Sequence, residues 1–184
     1  MTRLEELNKE FDLNIDEITI KENKKNKLNK RKLSPITAIE KRDFNSMLPT
    51  LVSNDCLALR LDIVKEIDVA NTENEEMVKV LKRKLENTAK YLILLKGNIE
   101  KEIVVFIDNF DVIVKEMQKD GLFLVEEKIT FEQLIRDVFK VTISDMQNLS
   151  RVIILIYEKS LRDFVGGDRA LARRIKINKD KGAK

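Results

Sequence analysis

Apolar residues recur at alternating spacings of three and four along residues 78–117, and this periodicity constrains the fold more than any other sequence feature. The first run comprises Val78, Leu81, Leu85, Thr88, Leu92 and Leu95, and the second comprises Ile99, Ile103, Phe106, Phe110, Ile113 and Met117. Such spacing predicts two helices, each presenting a continuous apolar seam to a neighbouring helix. Gly97-Asn98 separates the runs and predicts a tight helical hairpin. The alternative is one long helix bent at Gly97.

The chain contains few residues that make turns, which favours helices over a sandwich or a barrel. Only five Gly and two Pro occur among 184 residues, and all-β folds usually carry more of both. Capping patterns predict four helix starts, at Ser34-Pro35, Thr72, Thr130 and Ser144. The first of these helices would end near residue 47, and the last would run to about Phe164.

Two segments stay open between helix and strand. Within residues 56–64, Leu57, Leu59, Leu61 and Ile63 alternate, as in a strand, whereas Leu57, Leu61 and Val64 fit one helix face. The Leu and Ala content and the helical surroundings favour a helix. Residues 122–125 could form a short strand or a buried connector.

These patterns together predict an all-α fold, a bundle of five or six helices with a long helical hairpin, a basic linker and a basic C-terminal tail. A length of 184 residues suits one domain with a sizeable core. The predicted organisation is a short acidic leader helix at 1–20, a basic flexible linker at 21–33, the bundle at 34–167 and the tail at 168–184.

The net charge of +3 conceals two basic segments. Residues 21–33 carry a net charge of +6 and residues 168–184 a net charge of +5, whereas 1–20 and 34–167 carry −4 each. Such basic blocks attract nucleic acid or anionic lipid, or serve only as solvated tails. Neither block contains an aromatic residue, so contacts with a polyanion would be made to its backbone rather than by base stacking.

The absence of His removes most common catalytic sites. No Ser-His-Asp triad, Cys-His pair or HExxH zinc helix can form. The single cysteine, Cys56, has apolar neighbours and cannot build a thiolate metal site. We therefore expect no enzyme, no cofactor, no metal and no small-molecule substrate. The chain shows no signal-peptide pattern and no apolar run of about 20 residues, so a cytoplasmic protein is expected.

Two weak candidates for chemistry remain. The amides of Gly166-Gly167 beside Arg169 could hold a phosphate, but a helix stop is the favoured interpretation. Asp108 and Asp111 lie three residues apart and could share a face of a helix. We interpret them as the solvated side of the helix that carries Phe106 and Phe110.

Residues 130–151 resemble the helix-turn-helix of DNA-binding domains. Thr130 would begin the first helix, and Ser144 to Arg151 would open the second. The pattern departs from that family at Ile135 and Phe139, where small residues are usual. Two consecutive helices of a bundle are the favoured interpretation.

The leading functional hypothesis is a non-enzymatic adaptor or assembly protein that acts through protein–protein association, including self-association. Its candidate interface residues are those of the seams: Val78, Leu81, Leu85, Leu92, Leu95, Ile99, Ile103, Phe106, Phe110 and Ile113. The alternative is a nucleic-acid-binding protein, and a membrane surface is a further polyanion that the same arms could contact. The candidate polyanion-binding residues are Lys24, Lys25, Lys27, Lys30, Arg31, Lys32, Arg169, Arg173, Arg174 and Lys176. An enzyme of unknown type is the least favoured class.

Overall fold

A computed structural model describes residues 2–19, 36–51, 55–118, 124–125 and 129–178. Its centre is a β-sheet, so the all-α prediction is wrong. The six strands of this sheet are β1 (Asp16–Glu17), β2 (Ile36–Glu40), β3 (Cys56–Asp62), β4 (Glu102–Asp108), β7 (Arg151–Ile156) and β8 (Ile175–Asn178). Strands β5 (Leu124–Val125) and β6 (Ile129–Thr130) form a separate antiparallel pair.

Helices occupy most of the chain between the strands. They are α1 (Arg3–Phe11), α2 (Phe44–Leu51), α3 (Ile63–Glu66), α4 (Asn74–Lys96), α5 (Asp111–Met117), α6 (Phe131–Gln147), α7 (Glu158–Val165) and α8 (Arg169–Arg174). Among the described residues, no helix is both long enough and apolar enough to cross a bilayer.

The order of strands across the sheet is β1-β3-β4-β7-β2-β8. All neighbouring pairs are parallel except β1, which runs antiparallel to β3. A chain that joins parallel strands must return from the carboxyl end of one strand to the amino end of the next. Helices α4 and α6 make such returns, so both run opposite to the strands and parallel to each other.

Strands β4 and β7 are apolar over residues 103–107 and 152–156 because both of their faces are covered. In β4, Val104, Val105, Phe106 and Ile107 are all fully buried, and β7 shows the same continuous pattern. Parallel strands buried on two faces have no alternation between apolar and polar residues. The helix predicted from Ser144 to about Phe164 is therefore wrong over residues 151–156, which form β7.

The predicted helical hairpin is also wrong in its second half. Helix α4 ends at Gly97, where the sequence predicts a helix end. The chain then enters β4, in which Ile103 and Phe106 lie on opposite faces of the sheet, in the two separate core clusters. The second run of apolar residues thus combines a strand with α5, and its spacing matched a helix by coincidence.

One face of the sheet carries most of the core. Helices α1 and α4 to α8 contribute to a large cluster there, whereas the opposite face has a smaller cluster with Phe44, Met47 and Leu48 of α2. Three buried rings, Phe110, Phe139 and Phe164, join α6 and α7 to the start of α5. Their centroids lie 4.9–5.3 Å apart in tilted and edge-on pairs, the geometry that aromatic rings favour.

Both interpretations of residues 130–151, as a helix-turn-helix and as two consecutive helices of a bundle, are wrong. Thr130 does cap α6, because its hydroxyl accepts a hydrogen bond from the Gln133 amide at 3.1 Å. The helix then continues without a turn, and Ser144 lies inside it, donating from its hydroxyl to the Lys140 carbonyl at 2.8 Å. The segment at Arg151 begins strand β7 rather than a recognition helix.

The predicted basic tail contributes to the fold over its described part. Residues 169–174 form α8, whose Leu171 is fully buried, and β8 pairs in parallel with β2. The predicted linker at 21–33 lies outside the described residues. The helix favoured for 56–64 is wrong, because residues 56–62 form β3 and α3 begins only at Ile63. Residues 124–125, left open between a strand and a connector, form β5.

A buried ion pair attaches the N-terminal segment to α4. The Lys84 ammonium donates to the Asp12 carbonyl at 2.5 Å and lies 3.9 Å from Glu66. Glu66 in turn accepts hydrogen bonds from the backbone and side chain of Asn14 at 2.8–3.1 Å. Burial raises the pKa of Glu66 above its ordinary value, although Asn14 and Lys84 oppose this shift.

Asp168 caps α8 and attaches it to α6. Its carboxylate accepts a hydrogen bond from the Leu171 amide at 3.0 Å and pairs with Lys140 at 2.8 Å. The Lys140 ammonium and the amide hydrogen bond lower the pKa of Asp168 to about 2, although partial burial opposes the shift.

Asp168→Asn should make the stability of the fold less dependent on pH. The folded pKa of Asp168 lies below its ordinary value of 3.8, so the charge stabilises fully above about pH 4 and is lost as the pH falls through about 2. Urea unfolding between neutral pH and pH 2 should show the wild type's advantage over Asp168→Asn shrinking in that window. The Lys140→Met background serves as control, because the same substitution should then show little pH dependence.

Gly166→Ala should destabilise the protein by about 1–3 kcal/mol, the usual cost of a strained backbone region. Gly166 has a φ of +52°, and an added Cβ would approach Nη2 of Arg136 to 2.6 Å. Gly167→Ala is the matched control, since nothing lies within 4 Å of its added Cβ. Equal free energies of unfolding for the two variants would contradict this explanation.

Candidate functional site

Five parallel strands end at one edge of the sheet, and this edge is where open α/β sheets bind ligands. Strands β2, β3 and β4 end in Glu40, Asp62 and Asp108, and all three side chains are buried. Strand β7 ends next to Tyr157. The sheet thus gathers carboxylates at the expected ligand position, which we call the strand-end cluster (Glu40, Lys41, Arg60, Asp62, Asp108, Asn109 and Asp111).

Asp108 is the centre of this cluster and is only 3% exposed. Arg60 of the neighbouring β3 donates to Oδ2 of Asp108 through Nε at 2.8 Å and also through Nη2. The Lys41 ammonium, which follows β2, lies 3.4 Å from Oδ1. Two cations from the chain therefore neutralise this carboxylate.

Asn109 connects the ends of β2 and β3. Its side-chain amide donates to Asp62 at 2.8 Å, and its side-chain oxygen accepts from Lys41. Its backbone has a φ of 61°, in the left-handed region that Asn tolerates better than most residues. The backbone amide donates to Asp108 at 2.8 Å, so the turn after β4 is fixed by the same carboxylate that holds the cations.

Two further buried carboxylates hold the start of α7. Glu40 accepts a hydrogen bond from the Glu158 amide at 2.7 Å, and Asp111 accepts one from the Tyr157 amide at 3.1 Å. Negative charge near the first amides of a helix is stabilising. The second oxygen of Asp111, Oδ2, has no hydrogen-bond partner among the described residues. Lys41 lies 5.7 Å from the centroid of the Tyr157 ring.

A cavity of about 280 Å³ opens at the cluster. It is lined by Lys41, Phe44, Asn45, Arg60, Asp108 and Leu155. Its volume would admit a small ligand, but its three charged side chains, Lys41, Arg60 and Asp108, are already paired with one another. Within the described ranges, no three His, Cys, Asp or Glu side chains converge as ligands of one metal ion.

The glycines of the chain lie elsewhere. They occur at positions 97, 121, 166, 167 and 182, so Glu40-Lys41-Arg42 after β2 contains none. A phosphate cradle at a strand end usually needs glycines so that backbone amides can approach the oxygens. At the end of β2 the chain instead places charged side chains that bond to their neighbours.

A second candidate surface is a groove between α4 and α6, with a volume of about 480 Å³. It is lined by Glu86, Ala89, Lys90, Ile93, Asp145, Asn148 and Leu149. Ile93 is 56% exposed, and Val141, one helical turn before Asp145, is 65% exposed. We call these residues together with Val141 the α4/α6 groove.

The predicted interface residues lie mostly inside this chain. Eight of them are buried, and Val78 and Ile99 pack against the same core from half-buried positions. They therefore form the internal packing of the sheet and its helices in this fold. The exposed apolar residues of α4 and α6, Ile93, Leu94 and Val141, were missed because they fall between the positions of the seams.

The predicted polyanion-binding residues are only partly described. Lys24, Lys25, Lys27, Lys30, Arg31 and Lys32 lie outside the described residues. Arg169 and Arg173 are exposed on α8, whereas Arg174 donates to the Lys140 carbonyl at 3.2 Å and to the Ser144 hydroxyl at 3.1 Å. Lys176 belongs to β8. The structure does not bring these residues together into one described patch.

Asp108 and Asp111 do not mark a solvated helix face, and that interpretation is wrong. Asp108 ends a strand and Asp111 begins α5, and both are buried. The signal that could have found them is an apolar run of strand length, 103–107, followed directly by Asp and Asn. Gly166-Gly167, in contrast, does follow a helix end, since the Gly166 amide donates to the Arg162 carbonyl at 2.9 Å.

Comparisons with solved structures show a distant likeness. No protein-family model and no curated protein matches the chain. A chain of the Escherichia coli MS115-1 HORMA:CdnC:Trip13 complex is similar in structure, with a TM-score of 0.47 and 13% sequence identity. The alignment covers 79% of this chain and 48% of that one, so the present chain spans about half the length of its structural relative.

Arg60→Met should destabilise the fold by about 2–4 kcal/mol, because it leaves the buried Asp108 with one cation. Arg42→Met is the matched control: its side chain is 79% exposed and forms an ion pair with the Glu40 carboxylate at 3.4 Å, so its effect should be below about 1 kcal/mol. Urea unfolding of both variants measures the difference.

A double-mutant cycle with Asp108→Asn tests the assignment to this pair. If Arg60 acts through Asp108, the two substitutions should cost less together than the sum of their separate effects. Additive effects would contradict the ion pair as the cause.

Proposed function

We propose that this chain is a non-enzymatic adaptor or assembly protein that acts by binding another protein chain. The observation that carries the proposal is the closure of the strand-end cluster by the chain's own ion pairs. Asp108 is bonded to Arg60 and Lys41, and Asn109 links Lys41 to Asp62. The groups that would otherwise receive a ligand at this edge stabilise the fold instead.

The arrangement of charge supports this function over catalysis. A catalytic carboxylate needs a perturbed environment and access to a substrate. Asp108 is buried, and its two oxygens accept from Arg60 and from the Asn109 amide. Glu40 and Asp111 have a structural role that the hydrogen bonds explain, since each holds an amide at the start of α7.

The exposed apolar surface supports protein binding directly. Single exposed apolar residues are common, but Ile93 and Val141 flank one groove that also contains Ala89 and Leu149. Binding a partner would remove this apolar surface from water, which favours association. We therefore place the binding function on the helical layer rather than at the strand ends.

The strand-end part of the proposal is tested by ligand binding. Calorimetry with ATP and with inorganic phosphate, each with and without Mg²⁺, should show no saturable binding to the full chain. Saturable binding that Lys41→Met abolishes would contradict the proposal, because Lys41 is a cation of the cavity. Lys159→Met, an exposed position on α7, is the control for loss of a positive charge.

The protein-binding part is tested by association of the purified chain and by affinity capture from native lysate. We expect either a concentration-dependent oligomer or one partner captured in stoichiometric amount, and Lys41→Met should retain it. A strict monomer in sedimentation velocity, combined with no stoichiometric partner, would overturn the proposal.

A further inference from the structure

We propose that the α4/α6 groove binds a second copy of this chain in a two-fold symmetric dimer. This inference rests on the proposed function and names its partner. It starts from the parallel course of α4 and α6, which both run opposite to the strands between which they lie. The two helices pack side by side and present one groove between them.

A two-fold axis that is parallel to these helices has a defined consequence. It places α4 of one copy over α6 of the other while keeping both at the same height along the axis. Residues that line the groove at one height on α4 then meet residues at the same height on α6 of the second copy. Each contact between α4 of one copy and α6 of the other occurs twice in the dimer, so each favourable pair contributes twice to the binding energy.

Apart from Glu86, which lines the α4 wall and lies 4.0 Å from Lys82 of the same helix, the two walls carry charges of opposite sign. Lys90 stands on α4 and Asp145 on α6, and both are exposed and line the same groove. Among the described residues, neither side chain forms an ion pair with another. In the two-fold arrangement, Lys90 of each copy faces Asp145 of the other. The groove of one copy is therefore complementary in charge to the groove of a second copy.

The apolar residues of the groove also face their counterparts across the two-fold axis. Ile93 lies on α4 less than one turn beyond Lys90, and Leu149 lies four residues beyond Asp145, in the turn that follows the end of α6 at Gln147. The two-fold axis brings Ile93 of one copy over Leu149 of the other. Val141, 65% exposed in the single chain, lies one turn before Asp145 and extends this contact. The dimer would thus cover the most exposed apolar side chains of both helices with their counterparts.

Exchanging the charges at Lys90 and Asp145 distinguishes a second copy of this chain from any other binding partner. Lys90→Asp and Asp145→Lys each place like charges opposite each other in a homodimer, so each variant alone should dissociate at least about tenfold more readily. In a mixture of the two variants, the introduced aspartate of one chain faces the introduced lysine of the other. The unaltered Lys90 and Asp145 of the two chains also face each other. The mixture should therefore form a heterodimer with nearly wild-type affinity.

The experiment is sedimentation equilibrium of the full chain, with native mass spectrometry of the mixture to identify heterodimers by mass. Ile93→Lys should weaken the dimer at least about tenfold, whereas Val64→Lys should leave it unchanged. Val64 is the matched control because it is 54% exposed but lies on α3. Lys159→Asp on α7 is the control for charge reversal. If Ile93→Lys fails to fold, the mixture still decides the outcome, because Lys90 and Asp145 are exposed.

Several outcomes would overturn the inference. The inference is wrong if the wild-type chain is a monomer at all concentrations. In that case the proposed function still holds if a different protein is captured in stoichiometric amount. A dimer that Ile93→Lys leaves intact, or one whose charge variants fail to recombine, places self-association on another surface. A different protein that binds wild type and is lost with Ile93→Lys, while the chain itself stays monomeric, makes the groove a site for that protein instead.

Discussion

Burial of strand β4 on both faces is the constraint on which the remaining structure depends. Val104 and Phe106 face the smaller cluster with α2, while Val105 and Ile107 face the layer of α4 and α6. A strand of this composition is stable only where neighbours on both sides satisfy its backbone and helices cover its two faces. The positions of β3, β7 and the flanking helices follow from that requirement, and so does the meeting of Asp62 and Asp108 at one edge.

The strand-end cluster compensates the buried carboxylates at the edge of an apolar sheet. A buried carboxylate is costly unless cations or amides compensate it. Asp108 receives both kinds of compensation, and its bonds to Arg60 and the Asn109 amide join β3 to the turn after β4. Glu40 and Asp111 connect the same edge to α7 through backbone amides. The cluster therefore stabilises four chain segments at the point where the parallel strands end.

Local signals in the sequence were sufficient at some helix ends only. The helix predicted from Ser34-Pro35 is wrong, because residues 36–40 form β2, and Glu73 rather than Thr72 is the N-cap of α4. The cap at Thr130, the end of α4 at Gly97 and the first helix over residues 3–11 all follow from side chains close in sequence. The sheet could not be recognised in the same way, because a short apolar run such as 152–156 satisfies both a buried helix and a buried parallel strand. The strand-end cluster depends on Arg60 and Asp108 meeting across two strands, and no local pattern reports a contact of that kind.

Strand β2 has an unusual position in the order of the sheet. Its partners on its two sides, β7 and β8, follow it by roughly 115 and 140 residues along the chain. Pairing over such separations requires a large loss of chain entropy before any contact forms, and it slows folding. During synthesis, β3 and β4 can pair early, but Ala38 and Ile39 must remain unpaired until most of the polypeptide has left the ribosome. The nascent chain would therefore expose an apolar segment for several seconds at usual rates of elongation, a period in which a chaperone would be an advantage.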